Sequence, residues 1–250
     1  MRIAALYDIH GNLPALEAVL EEVDRADVDR ILVGGDVVPG PMVRETMTRL
    51  KQLGPPVDYI LGNCEVAAFA ELQAPGSSRV PDHVRETLRW SALQLDAGQP
   101  EMMSGWPRTL RFDIPGIGPT LFCHGTPRDE NEIFTRVTTE DRLRPLFDPL
   151  NVALIVCGHT HMQFDRMIGA TRVVNAGSVG MPFGTTGAEW LLLGPGVELQ
   201  HTSYDLTSAA DRVRATEYPQ ANEFADRYML NPPTEADILQ AFGAAELRRA

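Results

Sequence analysis

The stretch "RIAALYDIHGNLPALEAVLEEVDRADVDRILVGGD", residues 2–36, contains two short apolar runs separated by a segment with helical periodicity. Both runs, 2–8 and 30–36, end in an aspartate, and their composition predicts buried strands. In the segment between them, apolar residues recur at positions 13, 16, 19, 20 and 23, which is the spacing of one helix face. A strand, a helix and a strand in this order indicate a parallel α/β sheet buried on both faces.

The same alternation continues along the chain. "MVRETMTRLKQLG", residues 42–54, predicts a second helix that stops at Gly54. Further buried strands are predicted for "YILGN" (59–63), "TLFCH" (120–124), "ALIVCGH" (153–159) and "RVVNAGS" (172–178). Antiparallel strands are predicted for "GAEWLLLG" and "GVELQHTSYD", joined at Gly194-Pro195-Gly196. We expect one domain over residues 1–250, with a helical insertion at about 65–107 and a helical C-terminal extension at about 205–250.

Composition narrows the class of protein. The 250 residues are 44% hydrophobic and 22% charged, which is typical of a globular chain with a sizeable core. The formal net charge of −12 argues against a surface that grips duplex nucleic acid, because such surfaces cluster lysine and arginine. Bound divalent cations would reverse the potential locally, so the net charge does not exclude a phosphate ligand.

Cysteine usage and hydropathy bear on location. Three cysteines without regular short spacing fit neither a disulfide framework nor a cysteine-based zinc module. The apolar run at the start of the sequence is about five residues long, and no later run reaches the roughly 18 apolar residues that a spanning helix needs. We therefore expect a soluble cytoplasmic protein that does not bind membranes.

Polar side chains stand where five of the predicted strands end. These positions are Asp8 with His10, Asp36, Asn63, His124, and His159 with His161. Ligands of an open parallel sheet bind beyond the carboxyl ends of its strands, so we expect these side chains to converge on one crevice. Carboxylate, amide oxygen and imidazole form the ligand set for manganese, iron, zinc or nickel.

The order and spacing of these blocks closely resemble the calcineurin-like metallophosphoesterases. The matching motifs are "DIHGN" at 8–12, "GGD" at 34–36, "GNCE" at 62–65, "CHG" at 123–125 and "GHTH" at 158–161. "NAGSVGMP" at 175–182 resembles a loop of the smaller prokaryotic members, some of which also carry a cysteine at the position of Cys64. The resemblance implies a four-layer αββα sandwich of two mixed sheets with a dinuclear metal site at their rim.

The resemblance also implies a distribution of ligands. Asp8, His10, Asp36 and His161 would hold one divalent transition metal ion, and Asp36 would bridge to a second ion. Asn63, His124 and His159 would complete the second site. Manganese is the metal we expect first, with iron, nickel or zinc as alternatives. A metal-bridging hydroxide would then attack the phosphate ester, with catalytic contributions from Asp36, Asn63, Cys64 and His10.

Cys64 departs from the family pattern, which has histidine at this position. A thiol could be a core filler, a metal ligand, a nucleophile or a weak proton donor. A donor with an unperturbed pKa of about 8.5 supplies no positive charge at neutral pH, so we expect activity to depend strongly on the leaving group. A nucleophilic role is disfavoured, because no arginine-rich phosphate cradle surrounds the residue. Cys123 and Cys157 lie in apolar runs and are predicted to be core residues.

Three other residues have predicted roles, and two of them have two readings. Arg128 either contacts the substrate phosphate or pairs with Asp129. Asn12 either orients the substrate or caps the helix that begins near Leu13. Glu65 is predicted to hydrogen-bond a ligand side chain.

The leading functional prediction is a phosphodiesterase acting on a small-molecule or nucleotide phosphoester. The alternatives are a phosphomonoesterase or protein phosphatase, a dinucleoside polyphosphate hydrolase, and a binding scaffold without activity. The apolar positions of "ADILQAFGAAEL", residues 236–247, suggest a surface for homo-oligomerisation.

Overall fold

Two mixed β-sheets of five strands each form the centre of the molecule in the computed structural model, which describes residues 1–76 and 80–248. The strands are β1 (Ile3–Leu6), β2 (Arg30–Val33), β3 (Val57–Tyr59), β4 (Thr109–Ile114), β5 (Gly118–Cys123), β6 (Leu154–Cys157), β7 (Phe164–Ile168), β8 (Thr171–Asn175), β9 (Ala188–Leu193) and β10 (Val197–Thr202). The first sheet has the order β10-β9-β1-β2-β3 and the second β4-β5-β6-β8-β7.

Each sheet combines three parallel strands with two strands in antiparallel pairing. In the first sheet β1, β2 and β3 are parallel, and β9 and β10 add to β1 as an antiparallel hairpin. In the second sheet β5, β6 and β8 are parallel, with β4 and β7 antiparallel at the two edges. The parallel strands of each sheet therefore end at one rim, which is where the polar residues of the sequence motifs follow them.

Helices cover the outer faces and the C-terminal side. The described residues contain nine α-helices: α1 (Leu13–Ala26), α2 (Val43–Lys51), α3 (Asn63–Gln73), α4 (Asp82–Gln94), α5 (Gln99–Ser104), α6 (Glu140–Phe147), α7 (Leu206–Arg214), α8 (Ala221–Glu223) and α9 (Glu235–Gly243). A 3₁₀ turn, Asp148–Leu150, follows α6, and a π-helical segment, Phe224–Leu230, continues α8. Within that same part of the chain, no helix is both long and apolar enough to cross a membrane.

Side-chain alternation along the strands produces the layers. Ala4 and Leu6 of β1 pack under the helices on the outer face of the first sheet, whereas Ile3 and Ala5 pack between the two sheets. Strand β5 repeats this pattern, with Phe122 between the sheets and Cys123 on the outer face of the second sheet. The predicted four-layer sandwich is thus confirmed.

Several predicted elements differ in detail. The strand expected to reach Asn63 ends at Tyr59, and Asn63 is the first residue of α3. Strands β4 and β7 were not predicted; both are sheet edges whose side chains are largely outside the core. Cys123 and Cys157 are buried core residues, as predicted. The division of residues 1–250 into one domain with an insertion and an extension stays a prediction.

The C-terminal helices pack against the rim of the first sheet. A cluster that includes Val213, Tyr218 and Phe224 contacts Met42 and Trp90. Farther along, the Glu246 carboxylate accepts hydrogen bonds from the Thr138 hydroxyl and the Arg142 guanidinium, both at 2.5 Å. The backbone N–H of Leu247 donates to the Ile133 carbonyl at 2.8 Å. Residues 246 and 247 are therefore hydrogen-bonded to the loop between β5 and α6 and to the start of α6.

Candidate metal centre

The polar residues of the motifs lie in the loops that leave the parallel strands. Asp8 and His10 follow β1, Asp36 follows β2, His124 follows β5, and His159 and His161 follow β6, while Asn63 begins α3. Adjacent loops are joined through the backbone: Asp8 N–H donates to the Gly35 carbonyl at 3.1 Å, and His10 N–H donates to the Asp36 carbonyl at 2.9 Å. These bonds hold the two carboxylates at the same end of the sheet.

The backbone at five of these residues is left-handed. The φ angles are +53° at Asp8, +47° at His10, +53° at Asp36, +67° at His159 and +56° at His161. For residues with a Cβ atom this region is sparsely populated, and it costs on the order of 1–3 kcal/mol per residue. Such a concentration of strain at one rim is the pattern of a functional site rather than of ordinary turns.

The side chains form one group around Asp8. Its Oδ1 atom lies 3.3 Å from His161 Nε2 and 4.0 Å from His10 Nε2, and these two nitrogens are 3.2 Å apart. The three residues present ligand atoms that all lie within 4.8 Å of one another. One carboxylate oxygen and two imidazole nitrogens at this separation could surround a single metal ion.

A second group adjoins the first through the carboxylates. His124 Nε2 is 3.5 Å from Asp36 Oδ1, 3.8 Å from Asp8 Oδ1 and 2.9 Å from Asn63 Oδ1. Asp8, Asp36 and His124 again offer ligand atoms within 4.8 Å of one another. The His159 ring centroid is 5.1 Å from that of His124, which places His159 on the same side.

Backbone carbonyls fix which imidazole nitrogen faces the centre. The Nδ1 atoms of His10, His124 and His161 lie 3.2, 2.8 and 2.9 Å from the carbonyl oxygens of Pro39, Gly34 and Met181. A carbonyl oxygen only accepts, so Nδ1 carries the proton and Nε2 presents a lone pair to the centre when the ring is neutral. This is the arrangement that metal-binding histidines adopt.

His159 is oriented the other way. Its Nε2 atom is 3.2 Å from the Asn131 carbonyl, so Nδ1 is the nitrogen left to bind. Asn131 belongs to the loop that Glu246 braces through Thr138 and Arg142. The loop that contacts His159 through Asn131 is therefore also in contact with Glu246.

The electrostatics of the site keep both carboxylates ionised. Burial alone would raise the pKa of Asp8 and of Asp36, but neighbouring imidazoles outweigh it, chiefly His161 at Asp8 and His124 at Asp36, and both pKa values fall below their usual range. Conversely, burial would lower the pKa of His124, yet the charges of Asp36 and Asp8 raise it to about 10. His124 is therefore protonated at neutral pH, and its positive charge offsets the negative charge of Asp36 and Asp8.

His161 resembles His124: burial would lower its pKa, but the charge of Asp8 and the contact with that carboxylate raise it above the usual value. The other two histidines of the site are biased toward the neutral form. Burial, then the charge of His161, lowers the pKa of His10 to about 4, and burial, then His124, lowers that of His159 to about 4. Neutral imidazole is the form that binds a metal ion. Asp8 Oδ1 is buried and has no hydrogen-bond partner in the part of the chain that the structure describes. An ionised carboxylate oxygen surrounded by three imidazole nitrogens fits a divalent cation, which would displace the protons of His124 and His161.

Glu65 supports this centre in a way that differs from the prediction. Its carboxylate is fully buried and accepts N–H bonds from Asp36 (2.8 Å), Val37 (2.7 Å), Val38 (3.1 Å) and Gly62 (2.9 Å). The expected hydrogen bond to a ligand side chain is therefore wrong, because Glu65 binds the backbone of the Asp36 loop. A carboxylate that satisfies four amides sets the path of the chain through Asp36.

Two residues of "NAGS" have roles that the sequence did not reveal. Ser178 Oγ donates to the Asp8 carbonyl at 2.7 Å and accepts from Met181 N–H at 2.8 Å. Asn175 Nδ2 donates to the Gly158 carbonyl at 2.7 Å, just before His159. The motif resemblance could have pointed to them, but the partners are distant in sequence and appear only in the fold.

The two predicted substrate residues are engaged elsewhere. Asn12 is fully buried; its Oδ1 accepts from Ala15 N–H at 3.2 Å and its Nδ2 donates to the Gly180 carbonyl at 2.8 Å, which describes the capping alternative. Arg128 pairs with Glu132 (Nε to Oε2, 2.8 Å) rather than with Asp129. Substrate contact by either residue stays a prediction.

Comparison with known proteins identifies the fold independently. Residues 1–194 match the model of the calcineurin-like phosphoesterase superfamily domain. A hypothetical protein, PH1004, from Pyrococcus horikoshii OT3 is similar in structure, with a TM-score of 0.78 and 22% identity over 93% of this chain and 99% of that one. A metallophosphoesterase from Sphaerobacter thermophilus is similar with a TM-score of 0.69 and 24% identity, over 91% and 98% of the two chains. A search of curated proteins finds no significant match.

Proposed function

The chain belongs to the calcineurin-like phosphoesterase superfamily, and from that membership we propose that it is a metal-dependent phosphodiesterase that uses two divalent ions. In this proposal Asp8, His10, Asp36 and His161 hold one ion. The second site is made by Asn63, His124 and His159, with Asp36 shared between the two. When bound, such ions lower the pKa of a water molecule and offset negative charge on the phosphoryl group.

One observation carries the proposal. Asp8 Oδ1 is buried and has no hydrogen-bond partner among residues 1–76 and 80–248, yet three imidazole Nε2 atoms lie within 4.0 Å of it. An unpartnered buried acceptor costs about 1–3 kcal/mol, more when charged, so a fold retains it where a ligand completes it. The carbonyl-oriented imidazoles supply the remaining ligand atoms.

The chain's own residues determine what the site does to a substrate. Glu65 holds the Asp36 loop, and the Asn131 carbonyl orients His159, so the ligands are positioned before a substrate arrives. Cys64 offers no imidazolium beside the leaving group, which favours esters whose alcohol departs without a strong proton donor. We therefore propose that aryl and other low-pKa leaving groups react well and simple alkyl phosphates poorly. A rate that is independent of leaving-group pKa would contradict this.

Preference for diesters is the finer part of the proposal. A phosphate monoester dianion calls for cationic side chains beyond the metals, and Arg128, the cation nearest in sequence to His124, is paired with Glu132. A diester carries one charge fewer. The alternatives remain a phosphomonoesterase or protein phosphatase, a dinucleoside polyphosphate hydrolase, and a scaffold without activity.

Metal add-back tests the proposal. Metal-stripped protein is assayed on bis(p-nitrophenyl) phosphate and p-nitrophenyl phosphate with manganese, iron, nickel, zinc or magnesium added singly. We expect diester hydrolysis with a transition metal, loss of that activity in Asp36→Asn, and unchanged activity in Asp113→Asn, an exposed aspartate on β4. Monoester hydrolysis alone would favour the phosphatase alternative. Bound metal without hydrolysis of any phosphoester in a wider panel would favour the scaffold.

We also propose a cytoplasmic location and homo-oligomerisation. A cytoplasmic location agrees with three cysteines that form no disulfide with one another. The apolar side chains of α9, among them Leu239, are half-buried and leave a surface for homo-oligomerisation. Leu239→Glu is expected to lower the molecular mass measured by analytical ultracentrifugation. A parent protein that already has the mass of a monomer would refute this proposal.

A further inference from the structure

Cys64 lies at the metal centre rather than beside it. It is the second residue of α3, and its backbone N–H donates to Asp36 Oδ1 at 2.9 Å. Its Sγ atom, an imidazole nitrogen of His10 and a carboxylate oxygen of Asp36 all lie within 4.8 Å of one another. Asn63 Nδ2 lies 3.5 Å from Sγ with the geometry of a donor, so the sulfur can accept from this amide.

A second observation comes from the neighbouring Asp8 carboxylate. Asp8 Oδ1, buried and without a hydrogen-bond partner in the described chain, is 4.0 Å from His10 Nε2. His10 is thus shared by the group around Asp8 and the group that contains Cys64. The Asp8 oxygen without a hydrogen-bond partner and the Cys64 sulfur are therefore both close to the His10 imidazole, where one bound ion would contact both groups.

We propose that Cys64 is a metal ligand, binding through Sγ the ion that His10 and Asp36 also hold. This inference rests on the proposed metal centre and concerns which atoms complete it. The S–H bond breaks as the metal–sulfur bond forms, and the proton passes to solvent water. The sulfur then donates no proton to a leaving group, so the expected dependence on the leaving group remains.

The alternative, a thiol that only donates a proton, fits the surroundings less well. Cys64 Sγ has the His10 imidazole and the Asp36 carboxylate beside it, and both are ligands in the proposed centre. A metal ion at this position supplies the positive charge that stabilises a thiolate.

Thiolate ligation predicts the class of metal. Soft sulfur ligands favour zinc, and iron or cobalt more than manganese or magnesium. A site with imidazole, carboxylate and thiolate should therefore select zinc or iron over the manganese expected from the motif pattern. Replacing a residue that only hydrogen-bonds to a metal ligand typically costs about 10–100-fold in metal affinity, so losing a direct sulfur ligand should lower zinc affinity at least about tenfold.

X-ray absorption spectroscopy of the zinc-loaded protein tests the inference without relying on activity. We expect a sulfur scatterer at about 2.3 Å from zinc, distinct from nitrogen and oxygen at about 2.0–2.2 Å. Cys64→Ser should remove it, whereas Cys123→Ala, a matched change of a core cysteine on the outer face of the second sheet, should retain it. Cobalt substitution gives an independent measurement, a sulfur-to-cobalt charge-transfer band that is present in the parent and absent in Cys64→Ser.

The outcomes separate the two proposals. Stoichiometric zinc with only nitrogen and oxygen neighbours would overturn the sulfur ligand and leave the metal centre standing. A sulfur scatterer that persists in Cys64→Ser would also overturn it. Failure to bind zinc, cobalt or manganese in stoichiometric amounts would overturn the metal centre itself.

Discussion

Replacing Glu65 with glutamine should destabilise the protein more than any conservative change on its surface. Each carboxylate oxygen of Glu65 accepts two backbone N–H groups, Oε1 from Val37 and Val38 and Oε2 from Asp36 and Gly62. Glutamine retains one acceptor oxygen and turns an NH₂ group toward the other two amides. Two fully buried N–H groups then lose their acceptor, at about 1–3 kcal/mol each, so the expected loss is about 2–6 kcal/mol.

Urea unfolding of metal-free protein measures this loss directly. Burial, then the charge of Asp36, raises the pKa of Glu65 to about 7, so unfolding is followed at about pH 8.5, where the carboxylate is ionised. Glu21→Gln, an exposed glutamate on α1, is the matched control and should change the unfolding free energy by less than about 0.5 kcal/mol. A loss below about 1 kcal/mol in Glu65→Gln would show that the four amides are satisfied in another way.

Three further predictions concern single acidic residues. Burial raises the pKa of Glu189 to about 8. Between about pH 4.5 and 8 this carboxyl group is therefore protonated in the folded protein and ionised in the unfolded chain. The contribution of Glu189 to stability is greatest below about pH 4.5 and is lost as the pH rises through about 8. Glu189→Gln should flatten that part of a plot of unfolding free energy against pH, and an unaltered slope would contradict the assignment. Glu246→Gln should weaken metal binding at His159, because it loosens the loop that contains Asn131. Glu198→Gln, a change of an exposed glutamate, is the control. If calorimetric titration gives the same affinities for the two metal ions in Glu246→Gln as in Glu198→Gln, the prediction is refuted. Asp8→Asn should lower the stability of the metal-free protein at neutral pH, because burial of Asp8 is outweighed by its attraction to His161 and His124, which lowers its pKa, and it should abolish stabilisation by added metal. Equal thermal shifts on adding metal to the parent and to this variant would show that Asp8 binds none.

The sequence predicted the centre of each sheet better than its edges. Runs such as β1 and β6 are apolar at every position because parallel strands are buried on both faces, and this signal is local. Strand β4 alternates between exposed and half-buried residues, and β7 has exposed residues in its middle. At an edge the pairing partner decides whether a strand forms, and a partner distant in sequence leaves no local trace.

The candidate site divides in the same way. Asp8, His10 and Asp36 could be located from sequence because the ends of apolar strands mark them, and the structure places their side chains together. The support around them could not be located. Glu65 lies 27 to 29 residues from the amides that it binds at the Asp36 loop, and Ser178 lies 170 residues from the carbonyl that it holds. Residue type indicates that a carboxylate can accept, but only the fold decides what it accepts from.

The left-handed backbone of the site is stabilised by the buried hydrogen bonds beneath it. Five left-handed residues at about 1–3 kcal/mol each would cost on the order of 5–15 kcal/mol, comparable with the whole stability of a typical domain. Such a rim persists only where surrounding bonds over-determine it, and here they come from Glu65, Ser178, Asn175 and the bonds between the Asp8 and Asp36 loops. Left-handed turns direct successive side chains of one loop, such as Asp8 and His10, toward the same point. The strain is therefore the consequence of placing several ligands on few loops, and the buried hydrogen bonds beneath them keep the loops in that conformation.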